Sequence, residues 1–321
     1  MVKGKLINMD KDIQCNMIKE NLEKMSKCNN TEKAYNQFIE IANDKEPSNR
    51  SLEESIVFRV FDEYLALESQ MPHFIDAKTI LYRARKVDKE KYLVSPKSGI
   101  SVDIVNNAYR FSGFDEYESK EAPLGVSPVG RNNTKGMPYL YVAEDEYTAC
   151  SEIQPDIHSL ISLASFETLV PLRIIDFREE KTLDELPTMI SDQASKYSMT
   201  QLFTKIMFQF SMPVTDSAEY KASQLLADYI RKAGFDGIRY MSFRSGGANL
   251  TIFNSHKSKI RFVESKLVMV SALEYHLTDL NTREEIFPND YFPKHTDLDY
   301  DDIIRKISDK IIYTNTKRTN T

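Results

Sequence analysis

The chemistry in this chain is concentrated in two clusters, Gly130 to Glu152 and Tyr220 to Phe253. The first reads Gly130-Arg131-Asn132-Asn133-Thr134-Lys135-Gly136, runs through Pro138 and Tyr139-Leu140-Tyr141-Val142, and reaches Asp145, Thr148, Ala149 and Glu152. The second joins Tyr220 and Gln224 to Gly234-Phe235-Asp236-Gly237-Ile238, then Ser242, Asn249 and Phe253. Each cluster sets charged or hydroxyl side chains beside a strand end and a glycine turn, a construction suited to small anionic ligands. Arg131, flanked by glycine and asparagine, reads equally as a ligand-facing guanidinium and as part of a surface hairpin. Arg83 closes the apolar run Ile80-Leu81-Tyr82; its planar fork suits a carboxylate or pyrophosphate, and an ion pair is the plainer reading.

Tyr139 and Tyr141 are two apart, so on a strand both rings share a face. Core packing is the usual reason, and a wall for a flat heterocycle is the sharper one. Thr148 and Glu152 are four apart on a helix and share a face, as do Tyr220 and Gln224. Taken alone, Glu152 reads as a plain surface glutamate. Ser242 ends a strand and Asn249 follows the loop Arg244-Ser245-Gly246-Gly247-Ala248. Polar residues at the ends of buried strands in both clusters suggest convergence on one cleft.

These residues need a scaffold of mixed type. Strand-like runs fall at Ile80 to Arg83, Leu140 to Ala143, Val170 to Asp176, Gly237 to Ser242, Leu250 to Phe253 and Ile260 to Val263. A helix is expected over Glu146 to Gln154, and another from Asp216, with Glu219 as its box partner, to a stop at Gly234. Gly4 stands alone before Gly99 and no glycine follows Gly247, so turns and sheet belong between about 80 and 265 and the flanks read as helical. The N-terminal flank offers helices over about 10 to 27 and 31 to 43, a linker from Asp44 to Asn49, and a capping box Ser51-Leu52-Glu53-Glu54 before the stripe Ile56, Val57, Val60, Phe61, Tyr64, Leu65. A helix near Tyr300 to Ile312 and a frayed tail from Thr314 to Thr321 complete the C-terminal flank. No GxGxxG follows a strand, which argues against a dinucleotide site of the doubly wound type.

The totals exclude several classes. With 42 Lys and Arg against 48 Asp and Glu among 321 residues, the net charge is −6, the wrong sign for general nucleic-acid binding. Cys15, Cys28 and Cys150 form neither a disulfide framework nor a zinc knuckle, and the five histidines show no metal spacing; a reduced, cytoplasmic setting and no metal are expected. The start lacks an apolar signal core. The longest apolar region, Leu160 to Ile175, is interrupted by Glu167, Pro171 and Arg173 and is too short to span a bilayer.

The ordered set Arg83, Gly130-Arg131-Asn132, Gly136, Pro138, Leu140-Tyr141, Ala149, Glu152, Tyr220, Gln224, Asp236-Gly237-Ile238, Ser242, Asn249 and Phe253 resembles the RES-domain family over about residues 80 to 255. The resemblance implies an α+β fold, an ADP-ribosyltransferase-like split mixed sheet, over 78–265, with helical extensions over 1–77 and 266–321. It implies NAD as substrate, cleaved by water or phosphate, and an antitoxin or other regulatory partner, with a homo-oligomer left open. By that resemblance Glu152, Arg83 and Ser242 are catalytic, and Arg83, Arg131, Tyr141, Ser242 and Asn249 hold NAD. The long interval from Arg83 to Arg131 carries an insertion around Tyr109 to Ala122, a lid or partner surface. Two other readings remain: an ADP-ribosyltransferase acting on a macromolecule, and a catalytically idle binding module. Residues 150 to 152 are Cys-Ser-Glu, not the Glu-x-Glu or Gln-x-Glu pair of Arg-directed transferases, which favours NAD destruction. Coordinates placing Glu152 on the outer surface, remote from Arg83, Arg131 and Ser242, would defeat the site.

Overall fold

Two helices come first among the described elements, and strands with intervening helices follow. A computed structural model of the chain describes residues 31–43, 55–68, 72–87, 102–105, 108–178, 193–212, 220–273, 277–278 and 285–286. The elements are α1 (Thr31–Asn43), α2 (Ile56–Glu68), β1 (His73–Ile75), β2 (Ile80–Lys86), β3 (Val102–Val105), β4 (Ala108–Phe111), α3 (Glu116–Ser119), β5 (Leu140–Ala143), α4 (Glu146–Glu152), β6 (Leu160–Thr168), β7 (Leu172–Asp176), α5 (Gln193–Ser211), α6 (Lys221–Lys232), β8 (Gly237–Met241), β9 (Ala248–Ile252), β10 (Ile260–Met269), β11 (Leu277–Thr278) and β12 (Glu285–Ile286). The fold is α+β with a mixed sheet of order β1-β7-β8-β9-β5-β2-β6-β10. Strands β7 and β8 run parallel, whereas β1–β7, β8–β9, β9–β5 and β5–β2 are antiparallel.

Contacts divide the chain into two compact units, 1–83 with 120–152 and 166–262, and 84–119 with 153–165 and 263–321. The first holds both clusters. Its core draws on the N-terminal helices as fully as on the sheet. Val57, Val60, Phe61, Tyr64 and Leu65 of α2 are buried at helical spacing, beside Tyr35 and Phe38 of α1, Leu202, Ile206 and Phe210 of α5, Leu226 and Ile230 of α6, and Ile175, Phe177, Ile238 and Tyr240 of the sheet region. Phe177 stacks on Phe210 at 5.0 Å between centroids and on Phe61 at 6.4 Å. Lys205 of α5 pairs with Glu32 of α1, and Lys221 Nζ donates to the Asn43 carbonyl at 2.9 Å.

The second unit contains the antiparallel hairpin of β3 and β4, in register from Val102↔Phe111 to Val105↔Ala108, and the short helix α3. The insertion expected around Tyr109 to Ala122 therefore begins in strand and continues in helix.

Several sequence expectations change. Both flanks contain strand: β1 lies before residue 77, and β11 with β12 after 266. Strand β10 continues six residues past Val263. The nine-residue β6 is buried at Leu160 to Ala164 on both faces, so its pattern is a continuous run without alternation. Helix α6 spans Lys221–Lys232 and Tyr220 at its N-cap makes no side-chain cap bond, while the expected start at Asp216 with Glu219 lies outside the described residues. Its stop is at the expected glycine, Gly234, with φ +95°, a conformation that suits a residue without Cβ. The helix over 10 to 27, the Asp44 to Asn49 linker, the capping box at Ser51 and the elements from Tyr300 onward also lie outside the described residues. Among the described residues no helix is long and apolar enough to cross a membrane.

Candidate active site

The Gly130–Asn133 turn is built by hydrogen bonds that only its sequence permits. A Cβ on Gly130 would stand 2.4 Å from Asn133 Oδ1 and 2.8 Å from Tyr141 Oη, so glycine is needed there for space. Tyr141 Oη donates to Asn133 Oδ1 at 2.7 Å and accepts from the Asn132 amide at 3.0 Å. Asn132 Nδ2 donates to Thr251 Oγ1 at 2.7 Å. From α6, Gln224 Nε2 donates to the carbonyls of Gly130 (2.8 Å) and Asn133 (3.1 Å), and Ser223 Oγ donates to that of Arg131 at 2.6 Å. Tyr220 and Gln224 thus do share a face, and that face secures the turn. Burial drives the Tyr141 phenol far above its ordinary range, so it stays protonated and anchors the turn.

With its backbone fixed, Arg131 extends toward the C-terminal end of α5. Its Nη1 donates to the carbonyls of Met212 (2.6 Å) and Gln209 (3.3 Å), and the guanidinium lies 5.2 Å from the centroid of the Tyr220 ring. A helix C-terminus is the negative end of its dipole and a natural seat for a cation. Nε and Nη2 of the fork have no hydrogen-bond partner among the described residues.

Glu152 is the last residue of α4, whose first turn is capped by Asp145 Oδ1 accepting from the Thr148 amide at 2.7 Å. Its side chain is exposed, yet it is held. Glu152 Oε1 accepts from Ser242 Oγ at 2.5 Å and from Asn249 Nδ2 at 2.7 Å. Ser242 and Asn249 are themselves buried, at 1% and 6% exposure, so two fixed donors orient a carboxylate that still meets solvent. The structure therefore joins Glu152, Ser242 and Asn249 directly.

Arg83 is half-buried on β2. Its neighbour Tyr82 opens a row across four strands, Tyr82↔Ala143↔Asn249↔Tyr240. Two strand spacings, about 10 Å, thus separate the Tyr82 position from Asn249. The buried residues of β2 are Leu81 and Ala84, three apart, so the strict alternation breaks at Tyr82 and Arg83.

The residue that sequence reasoning passed over is Tyr240. It faces Asn249 across β8 and β9, is 6% exposed, and its hydroxyl is hydrogen-bonded to Thr251. Burial pushes its phenol up to about 12, with the Arg131 and Glu152 charges acting on it in opposite senses. Its period-two spacing from Ser242, which puts both residues on one face of the strand, was the available signal. A tyrosine phenol raised from 10.0 to about 12 binds its proton more tightly folded than unfolded, so its contribution to stability is whole below pH 10 and is lost as pH rises toward 12. In Tyr240→Phe, the fall in denaturant midpoint between pH 10 and 12 should be shallower than in wild type; an identical slope would show that Tyr240 does not contribute.

The sequence matches the RES domain over residues 81–278, more than half the chain, and the chain belongs to the RES-domain family. No curated protein matches it. Among solved structures, the MbcT–MbcA toxin–antitoxin complex of M. tuberculosis is similar over 66% of this chain and 94% of that chain, with 11% identity and a TM-score of 0.31, a distant likeness.

Proposed function

We propose that this RES-domain chain degrades NAD by cleaving the bond between nicotinamide and ribose, with water or phosphate as acceptor, and that it acts as a toxin restrained by an antitoxin. The observation that carries the reading is the exposed Glu152 carboxylate, oriented through Oε1 by Ser242 and Asn249. In NAD the leaving nicotinamide is already cationic, so departure needs no general acid and the step differs from two-carboxylate glycoside hydrolysis. As the bond breaks, positive charge develops on the ribose, and a preorganised carboxylate beside it lowers the barrier electrostatically. In this reading Ser242 and Asn249 fix Glu152 and border the ribose, Tyr141 holds the wall at the Gly130 turn, and Arg83 and Arg131 bind the pyrophosphate. NAD is here a substrate, and the guanidinium forks supply the positive charge that faces its pyrophosphate. The regulatory partner follows from family membership alone.

The test is to incubate NAD with the purified chain, with and without phosphate, and resolve the products by chromatography. Nicotinamide with ADP-ribose indicates water as acceptor, and a phosphorylated ADP-ribose indicates phosphate. Label retained on a macromolecule would replace the proposal with ADP-ribosyl transfer. Arg131→Ala should raise the KM for NAD by about 10- to 100-fold, the worth of a charged hydrogen bond of about 1.5–3 kcal/mol, with kcat much less affected. An unchanged KM would remove Arg131 from the clamp.

A further inference from the structure

The turn that carries Ser242 is fastened to α4 at a second point, through a hydroxyl that the mechanism does not use. Thr148 is 1% exposed and its Oγ1 donates to Asp145 Oδ2 at 2.7 Å. Because its one proton is committed there, the 2.9 Å contact between Thr148 Oγ1 and Ser245 Oγ has Ser245 as donor. Ser245 Oγ in turn accepts from the Gly247 amide at 3.1 Å. One run of bonds therefore leads from Gly247 N–H through Ser245 and Thr148 to the Asp145 carboxylate. The fit is close: a Cβ on Gly247 would fall 2.1 Å from Thr148 Oγ1 and 2.9 Å from Asp145 Oδ2.

Ser245 also belongs to a second run. Its amide, with that of Arg244, donates to Ser242 Oγ, each at 3.2 Å. Two amides on the oxygen occupy its acceptor positions and direct the hydroxyl hydrogen to Glu152 Oε1, 2.5 Å away. Ser245 is thus the shared link between the Thr148 anchor and the Ser242 donor. Both runs end on carboxylates of the same helix segment, Asp145 at its start and Glu152 at its end.

We infer that Thr148 is a positioning residue, which by gripping Ser245 sets the orientation of the Ser242 hydroxyl and, through it, of the Glu152 carboxylate. The inference rests on the NAD-cleaving reading for its kinetic test. In the full chain, Thr148→Val keeps the shape and removes the hydroxyl, whereas Thr148→Ser keeps the hydroxyl. Thr148→Val should lower kcat for nicotinamide release by about tenfold with KM for NAD unchanged, and Thr148→Ser should restore it, because the defect lies in orientation and not in NAD binding. Ser245→Ala, at a partly exposed turn position, removes the same link from the other side. It should give a loss of similar size, and the Thr148→Val/Ser245→Ala double variant should lose little more than either single change. If Thr148→Val does not fold, Ser245→Ala decides. A wild-type chain that releases no nicotinamide overturns the NAD reading and this inference with it. A wild-type chain that does release it, with kcat unchanged in Ser245→Ala and in any folded Thr148→Val, overturns the inference alone.

Discussion

Glu152→Gln should reduce nicotinamide release by at least about 10²- to 10³-fold, the cost of removing one preorganised electrostatic group from a reacting centre. The substitution conserves shape and leaves an amide oxygen able to accept from Ser242 and Asn249, whose donors now meet at Glu152 Oε1. What it removes is the negative charge. Thermal stability should therefore hold near the wild-type value while kcat collapses, and KM for NAD should change little, because the charge matters most as the ribose becomes cationic. Release at the wild-type rate would show that the carboxylate is not the stabilising group. A collapse of Tm would show instead that Glu152 chiefly ties α4 to the β8–β9 turn.

The second large effect is on stability. Phe61 of α2 is fully buried and packs against Phe177 (6.4 Å) and Tyr64 (6.3 Å). Truncating a buried phenylalanine to alanine typically costs about 3–5 kcal/mol through lost burial and the cavity left behind. For a cooperative unit of about 150–250 residues, where 1 kcal/mol moves Tm by about 2–4 °C, the fall is roughly 10 °C. The same core includes Phe210, at the end of α5 whose Gln209 and Met212 carbonyls hold Arg131. The N-terminal helices thus support the Gly130–Asn133 turn through α5. Calorimetry on Phe61→Ala reads this directly. A Tm within a degree or two of wild type would mean that α2 does not share a cooperative core with the sheet.

The parts of the fold that were legible in sequence are those with dense, simple signals. Strand β5 fell at its expected bounds, and β7, β8 and β9 within about two residues at each end, because β-branched and aromatic residues fill them between turn residues. The α2 stripe was legible because six apolar positions recur at helical spacing. Helix α5 was not: among its described side chains Ser198, Leu202, Ile206 and Phe210 are buried at four-residue intervals, with a serine in place of an apolar residue at one end. Strand β6 was hidden because burial on both faces erases the period of two.

At the site, order along the chain identified Glu152, Ser242 and Asn249 as candidates, and the structure joins them. Direction was beyond its reach. Nothing in Gly130-Arg131-Asn132 shows that the guanidinium seats on a helix C-terminus 78 to 81 residues away. Nor does Tyr141 announce that its hydroxyl closes the preceding turn. Both depend on how α5, α6 and β5 meet, which local spacing does not encode.

The most direct measurement is the quantity of free nicotinamide formed when purified wild-type chain and NAD are incubated together, with phosphate present and absent. The expected result is stoichiometric conversion of NAD with many turnovers per chain in at least one of the two conditions. Intact NAD in both, from a folded chain freed of any bound inhibitor, would contradict the assignment of cleavage to the Glu152–Ser242–Asn249 site.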